Sequence, residues 1–218
     1  MIYFGELPNQ KQLDEYKTTL RGYRKLPEEL IGVLEAIPAS AHPMDVMRTG
    51  CSMLGNLEPE GDFENQQRAA DRLLGALPSI INYWYQYSHQ GNRIDTDSER
   101  IPWQGIFLKT LSGPFSVRAS PASNGRFPDF VRGAEFNAST FTARVCASTL
   151  SDMHSCVTGL SGHCGAPLHG GANEAAMEMI EKFSSVEDAT QGVHGMLERK
   201  DKIMGFGHAI YELLTPGT

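Results

Sequence analysis

Two histidines set among glycines, His169 and His208, are the side chains in this sequence best placed for chemistry. The first lies in Pro167-Leu168-His169-Gly170-Gly171-Ala172-Asn173-Glu174-Ala175. Its glycines let a ligand approach the backbone, and the Ala-Asn-Glu-Ala that follows can start a helix. A histidine at such a start can point into a cleft. The positive end of the helix disfavours imidazolium, so the ring tends to stay neutral and act as a hydrogen-bond donor. The same residues also suit a helix-capping loop with an incidental histidine. The second string, Gly205-Phe206-Gly207-His208, frees its backbone N–H groups to meet a nucleotide or phosphate. Taken alone, a tight turn between helices is its plainer reading. His163-Cys164 with His169 are metal-ligating types, but no second close-spaced ligand pair accompanies them, and no metal site is expected.

The elements that position these histidines read as helices. Leu13, Tyr16, Leu20 and Tyr23 recur at helical spacing, ending near Leu26-Pro27. Pro27-Glu28-Glu29 opens a second helix with proline and acids at its positive end; Leu30, Val33, Leu34 and Ile37 form its apolar face, and Pro38 stops it. Met44 to Leu54 and Gln66 to Tyr87 continue the pattern. Tyr83, Trp84, Tyr85 and Tyr87 suggest a binding box, although core packing at a helix end explains them more simply. Residues 91–134, rich in Gly, Pro, Ser and Arg, read as a long loop. Helical character returns at Glu135 and runs past Met153, breaks over Gly159–Gly171, and resumes from Ala172 to Phe183 and around Glu187 to Arg199. Strand-like alternation is scarce, so the fold class is all-α.

Bulk composition narrows the function. The chain has 218 residues, 40% of them hydrophobic and 21% charged, an ordinary globular balance. A net charge of −7 argues against a nucleic-acid surface, which needs a concentrated basic face. No apolar run reaches bilayer length, and the first residues lack the pattern of a signal peptide, so a cytoplasmic location is expected. Cys51, Cys146, Cys156 and Cys164 include no C-x-x-C pair, and no disulfide framework is expected. Cys146 and Cys156, among Ala, Ser, Thr and Val, read as buried thiols.

Together, the two histidine strings resemble the histidine signatures of the citrate synthase family in order and separation. Ser40-Ala41-His42-Pro43-Met44-Asp45-Val46-Met47-Arg48-Thr49-Gly50 and Glu135-Phe136-Asn137-Ala138-Ser139-Thr140-Phe141-Thr142-Ala143-Arg144 are further matches. With Ser151-Asp152-Met153, they look more like 2-methylcitrate synthases than housekeeping citrate synthases. The resemblance covers most of residues 3–99 and 135–211. It implies one partial, all-α, citrate synthase-like domain over 1–218, incomplete at both ends. The implied reaction is an acyltransferase one, a Claisen condensation of an acyl-CoA with oxaloacetate. Its setting would be propionate catabolism or the tricarboxylic acid cycle. Propionyl-CoA or acetyl-CoA would be the coenzyme A thioester substrate, with no permanently bound cofactor and a homodimer as the expected assembly. His169 would hydrogen-bond the thioester oxygen and stabilise the forming enol. His208 would hold oxaloacetate and protonate its ketone. The backbone of Ile203, Met204, Gly205, Phe206 and Gly207 would lie along the coenzyme A adenine.

The sequence also departs from the resembled pattern. A substrate-binding histidine in Tyr-Ala-Glu-His should precede Glu-Phe-Asn-Ala-Ser, but Val131-Arg132-Gly133-Ala134 stands there. An Asp-Pro-Arg should follow the second histidine, but the text is Thr215-Pro216-Gly217, and the family's catalytic aspartate would fall beyond Thr218. These departures read as frame slips. Codons for 120–134, read one base later, can give Val-Gln-Arg-Ala-Met-Asp-Val-Ser-Leu-Ile-Leu-Tyr-Ala-Glu. Similar shifts at 102–107, 160–166 and 214–218 give Ser-Val-Ala-Gly-His-Phe, Ala-Ile-Gly-Ala-Leu-Arg-Gly and Asp-Pro-Arg-Asn. Residues 99–134 and 160–166 are therefore expected to be out of frame, and His163 and Cys164 to be products of the slip. The expectation is a poorly packed stretch within 112–134 and no condensation by the chain as it stands. A non-catalytic helical remnant or dimerising fragment is the alternative.

Overall fold

The computed structural model describes residues 5–96, 138–166 and 169–204. Helix starts follow local capping chemistry. In α1 (Gln10–Gly22), Asn9 accepts the Gln12 N–H while the Gln12 side chain accepts the Asn9 N–H, satisfying two otherwise orphaned donors. α2 (Glu28–Ala36) starts after Pro27 with Glu28 and Glu29 in its first turn. α3 (Pro43–Leu57) is capped by a histidine: Nδ1 of His42 accepts the Met44 N–H at 3.1 Å. A short 3₁₀ turn, Phe63–Asn65, leads into α4 (Gln66–Gln90), which ends at the left-handed Gly91.

The expected loop over 91–134 and the poorly packed stretch within 112–134 lie mostly outside the described residues. Beyond them come α5 (Ala138–Ser148), α6 (Met153–Cys164), α7 (Gly170–Ile180) and α8 (Val186–Glu198). Several boundaries differ from the sequence expectation: α1 stops at Gly22 rather than near Leu26, and α7 runs Gly170–Ile180 rather than from Ala172 to Phe183. The helix beginning near Glu135 does not run past Met153: it stops at Ser148, Leu150 takes φ 62°, and Asp152 caps a new helix by accepting the Ser155 N–H. Nor does the chain break at Gly159. α6 continues through Gly159 and Gly162 to Cys164, since a glycine costs a helix only about 1 kcal/mol and packing on neighbours outweighs that.

The core sits where α2, α3 and α4 meet. Leu30 and Leu34 of α2, Val46, Cys51 and Leu54 of α3, and Leu73, Ala76, Ile80, Tyr83 and Trp84 of α4 form one buried cluster. Of the apolar face expected of α2, Leu30 and Leu34 are buried and Ile37 packs against the cluster, while Val33 is only half-buried. Trp84 and Tyr83 are core residues, with the Tyr83 hydroxyl donating to Glu35 Oε1 at 2.7 Å. Tyr85 and Tyr87 pack at the cluster's edge, and Tyr85 stacks on His89. α6 lies against both α3 and α5, which carries the second half of the chain onto the first. Cys156 is buried as expected, whereas Cys146 is only half-buried, and all four cysteines are free thiols. Among the described residues no helix is long and apolar enough to cross a membrane.

Candidate active site

His169 stands immediately before α7, on a turn built by backbone contacts. Its N–H donates to Ala166 O at 3.0 Å, as does the Gly171 N–H, and its own carbonyl accepts the Ala172 N–H at 3.1 Å. Gly170 is required here: a Cβ at that position would run into the carbonyl oxygen of Cys164. The turn therefore folds tightly back on the end of α6 and delivers the imidazole towards α5.

There His169 meets a partner. Its Nε2 lies 3.1 Å from Oγ of Ser139, the second residue of α5 and itself buried. Burial, and secondarily the neighbouring His163, hold the His169 pKa below the ordinary imidazole value, so the ring is neutral near pH 7. A neutral imidazole carries a single ring proton. When the Ser139 hydroxyl donates to Nε2, that proton sits on Nδ1 and can be given to a carbonyl or thioester oxygen. A neutral donor suits an oxygen that gains charge during reaction, because the donor is already in place when the charge appears.

Ser139 was not assigned a role by sequence reasoning, although it lies inside the matched Glu-Phe-Asn-Ala-Ser string. Its position 30 residues before His169 is bridged only by the antiparallel return of α5 and α6. Among the other expected site residues, Ile203 and Met204 are half-buried just past α8. There Asp201 N–H closes the helix end on Met196 O, and no described hydrogen bond joins Ile203 or Met204 to His169. Gly205, Phe206, Gly207 and His208 lie outside the described residues. His163 is exposed and Cys164 half-buried; among the described residues, no group of three His, Cys, Asp or Glu is arranged to hold a metal ion.

A second grouping lies at the start of α6. His154 is buried, its Nδ1 3.8 Å from Asp152 Oδ1, and among the described residues neither ring nitrogen has a hydrogen-bond partner. It borders a cavity of about 520 Å³ with Ser52, Asn56, Glu60 and Thr158. Glu60 accepts the Met153 N–H at 2.6 Å, so this corner also caps α6. Desolvation lowers the His154 pKa against the opposing pull of Asp152, Glu60 and Glu58.

Comparison with known proteins places this architecture. The family described as "Citrate synthase, C-terminal domain" matches residues 1–216. The 2-methylcitrate synthase of Shewanella oneidensis is 59% identical over 215 residues, covering 97% of this chain and 56% of that protein. The citrate synthase of Heyndrickxia coagulans is 35% identical over 214 residues, covering 97% and 57%. Among solved structures, citrate synthase from Thermotoga maritima superposes with a TM-score of 0.77 at 32% identity, covering 96% of this chain and 55% of that one. The chain spans about half the length of the curated relatives it matches. Matched over nearly its whole length by sequence, and in its helical arrangement by structure, the chain belongs to the citrate synthase family.

Proposed function

We propose that this chain carries part of the machinery for condensing an acyl-CoA thioester with oxaloacetate, in the manner of a 2-methylcitrate or citrate synthase. The observation that carries the reading is the neutral, half-buried His169, held by Ser139 on a glycine turn at the head of α7. His169 would donate to the thioester oxygen as the enol forms, and His208 would hold oxaloacetate and protonate its ketone. The backbone of Ile203 to Gly207 would lie along the adenine of coenzyme A. The higher identity to a 2-methylcitrate synthase favours propionyl-CoA over acetyl-CoA, and a cytoplasmic location belongs to the same proposal.

In the same reading residues 99–134 and 160–166 are out-of-frame text. Ala134 then stands where the family pattern has a substrate-binding histidine, so oxaloacetate is held weakly and condensation by the 218 residues alone falls below detection. Resequencing the gene across these codons tests that part: an in-frame read of 126–134 as they stand removes the sequencing-error version. Binding tests the rest. With histidine-labelled chain, a coenzyme A thioester analogue should shift the His169 ring resonances, and Ser139→Ala should weaken that response several-fold. No shift at millimolar analogue and oxaloacetate would refute the reading.

The alternative, a dimerising helical remnant, draws on α5. Phe141 and Val145 are 70% and 50% exposed there, followed by Leu150 at 83%, and a second copy of the chain would cover them. Sedimentation of the chain beside Phe141→Asp tests the homodimer directly: a monomer in both cases removes it.

A further inference from the structure

We propose that His42 is a positioning residue for His169, one imidazole that caps α3 through Nδ1 and holds the first turns of α7 through Nε2. Its Nδ1 accepts the Met44 N–H at 3.1 Å, which leaves the ring proton on Nε2. That Nε2 lies 3.3 Å from Oε2 of Glu174, to which it donates. Glu174 is five residues beyond His169 and on the helix that His169 opens. The other limb of the turn rests on the same place, since a Cβ on Gly165 would lie 3.5 Å from Met44 Cβ and 3.8 Å from His42 Nδ1. His42 thus bonds the helix that His169 opens on one side and on the other faces Gly165 across a space that a methyl group would fill.

The two ends of this link differ in firmness. α3 is a core helix, with Val46, Cys51 and Leu54 fully buried. α7 contributes Met177 and Ile180 to the surface, and its described packing is against α6. A link from a firm helix to a lightly attached one fixes the latter. Without it, α7 can pivot at its His169 end, and the 3.1 Å contact between His169 and Ser139 is the first to suffer. What His169 does chemically rests on the proposed function; that His42 fixes its position does not.

The test is therefore read at His169 itself, by ¹⁵N and ¹³C spectra of the full chain with labelled histidine. His42→Asn keeps a capping oxygen for α3 but cannot reach Glu174. Glu174→Ala removes the far end at an exposed position where folding is not at stake, and Glu174→Gln restores an acceptor. In His42→Asn and Glu174→Ala, the His169 pKa should rise towards the ordinary imidazole value, and amide exchange at 169–172 should quicken about tenfold, while exchange at 46–54 stays as in the parent. Glu174→Gln should look like the parent. An unchanged His169 pKa and unchanged exchange in Glu174→Ala would overturn the proposal, as would a Glu174→Gln variant as perturbed as Glu174→Ala. Failure to bind any thioester would leave these readings standing and count only against the proposed function.

Discussion

Arg72 ties three segments together, and removing its guanidinium offers a sharp test of how the N-terminal half is held. Nε and Nη2 grip both carboxylate oxygens of Glu58 at 2.7 and 2.8 Å. Nη2 also donates to Lys25 O at 3.0 Å, and Nη1 donates to Tyr23 O, so the fork closes the C-terminal side of α1 onto α4. Arg72 is only 8% exposed, whereas the Glu58 side chain is 39% exposed. Arg72→Met preserves most of the stem volume and deletes every one of these bonds. Breaking a fully buried pair costs about 3–5 kcal/mol, because the abandoned charge and carbonyls stay desolvated. Water can reach part of Glu58, which places the expected loss near the lower end, about 3 kcal/mol, or roughly a hundredfold in the unfolding equilibrium. Adding Glu58→Gln removes the orphaned charge and should return about 1–2 kcal/mol. Urea denaturation followed by far-UV circular dichroism measures the totals, and amide exchange at Arg24 and Lys25 locates them. A loss below about 1 kcal/mol, or a double variant no more stable than Arg72→Met, would refute the buried-charge argument.

Two glycines should respond oppositely to alanine. At Gly75 a Cβ would sit 2.6 Å from Tyr23 Cβ and 3.0 Å from Leu20 O, so Gly75→Ala should cost about 1–2 kcal/mol net, while Gly32→Ala, with open space around it, should gain about 0.5–1 kcal/mol. Equal signs in urea denaturation would contradict the α1–α4 packing. Asn82 is buried with neither amide atom hydrogen-bonded among the described residues, so Asn82→Leu should be neutral or stabilising by up to about 2 kcal/mol, and a loss greater than 1 kcal/mol would show the amide is bonded. The depressed pKa of His154 means the unfolded chain binds a proton that the native chain refuses. Stability from this group is complete above about pH 6.5 and falls as pH drops from there to the folded pKa, by at most about 1.4 kcal/mol per unit. His169 adds the same sign, so the informative quantity is the slope lost in His154→Gln; an unaltered slope between pH 7 and 5 would be the contrary result.

Much of this was legible in the residues, for identifiable reasons. Pro27, Glu28, Glu29 and Pro38 bracket α2 by chemistry that any context must respect, and Leu30 and Leu34 then have only one face to bury. His169 stood out because glycines flank it. The break at 149–152 did not, since nothing in a leucine announces the left-handed backbone taken by Leu150. Gly159 and Gly162 read as a break, yet α6 runs through both because its neighbours α3 and α5 hold it helical. Ser139 and His42 escaped for a different cause. Their partners lie 30 and 132 residues away, distances over which a motif carries no geometry until helices return the chain upon itself.

α3 also works as a lever. About twelve residues separate Leu54, deep in the core, from His42 at its tip, an arm of roughly 18 Å at helical rise. A tilt of about 5° about the core end moves the tip by about 1.6 Å, half the length of the contact from His42 to Glu174. Gly50 lies one turn from the core end of the arm, where an added Cβ would come within 2.6 Å of Ile80 Cγ2. Side-chain volume at this one core position is thereby converted into angle, and angle into the placement of the turn that carries His169.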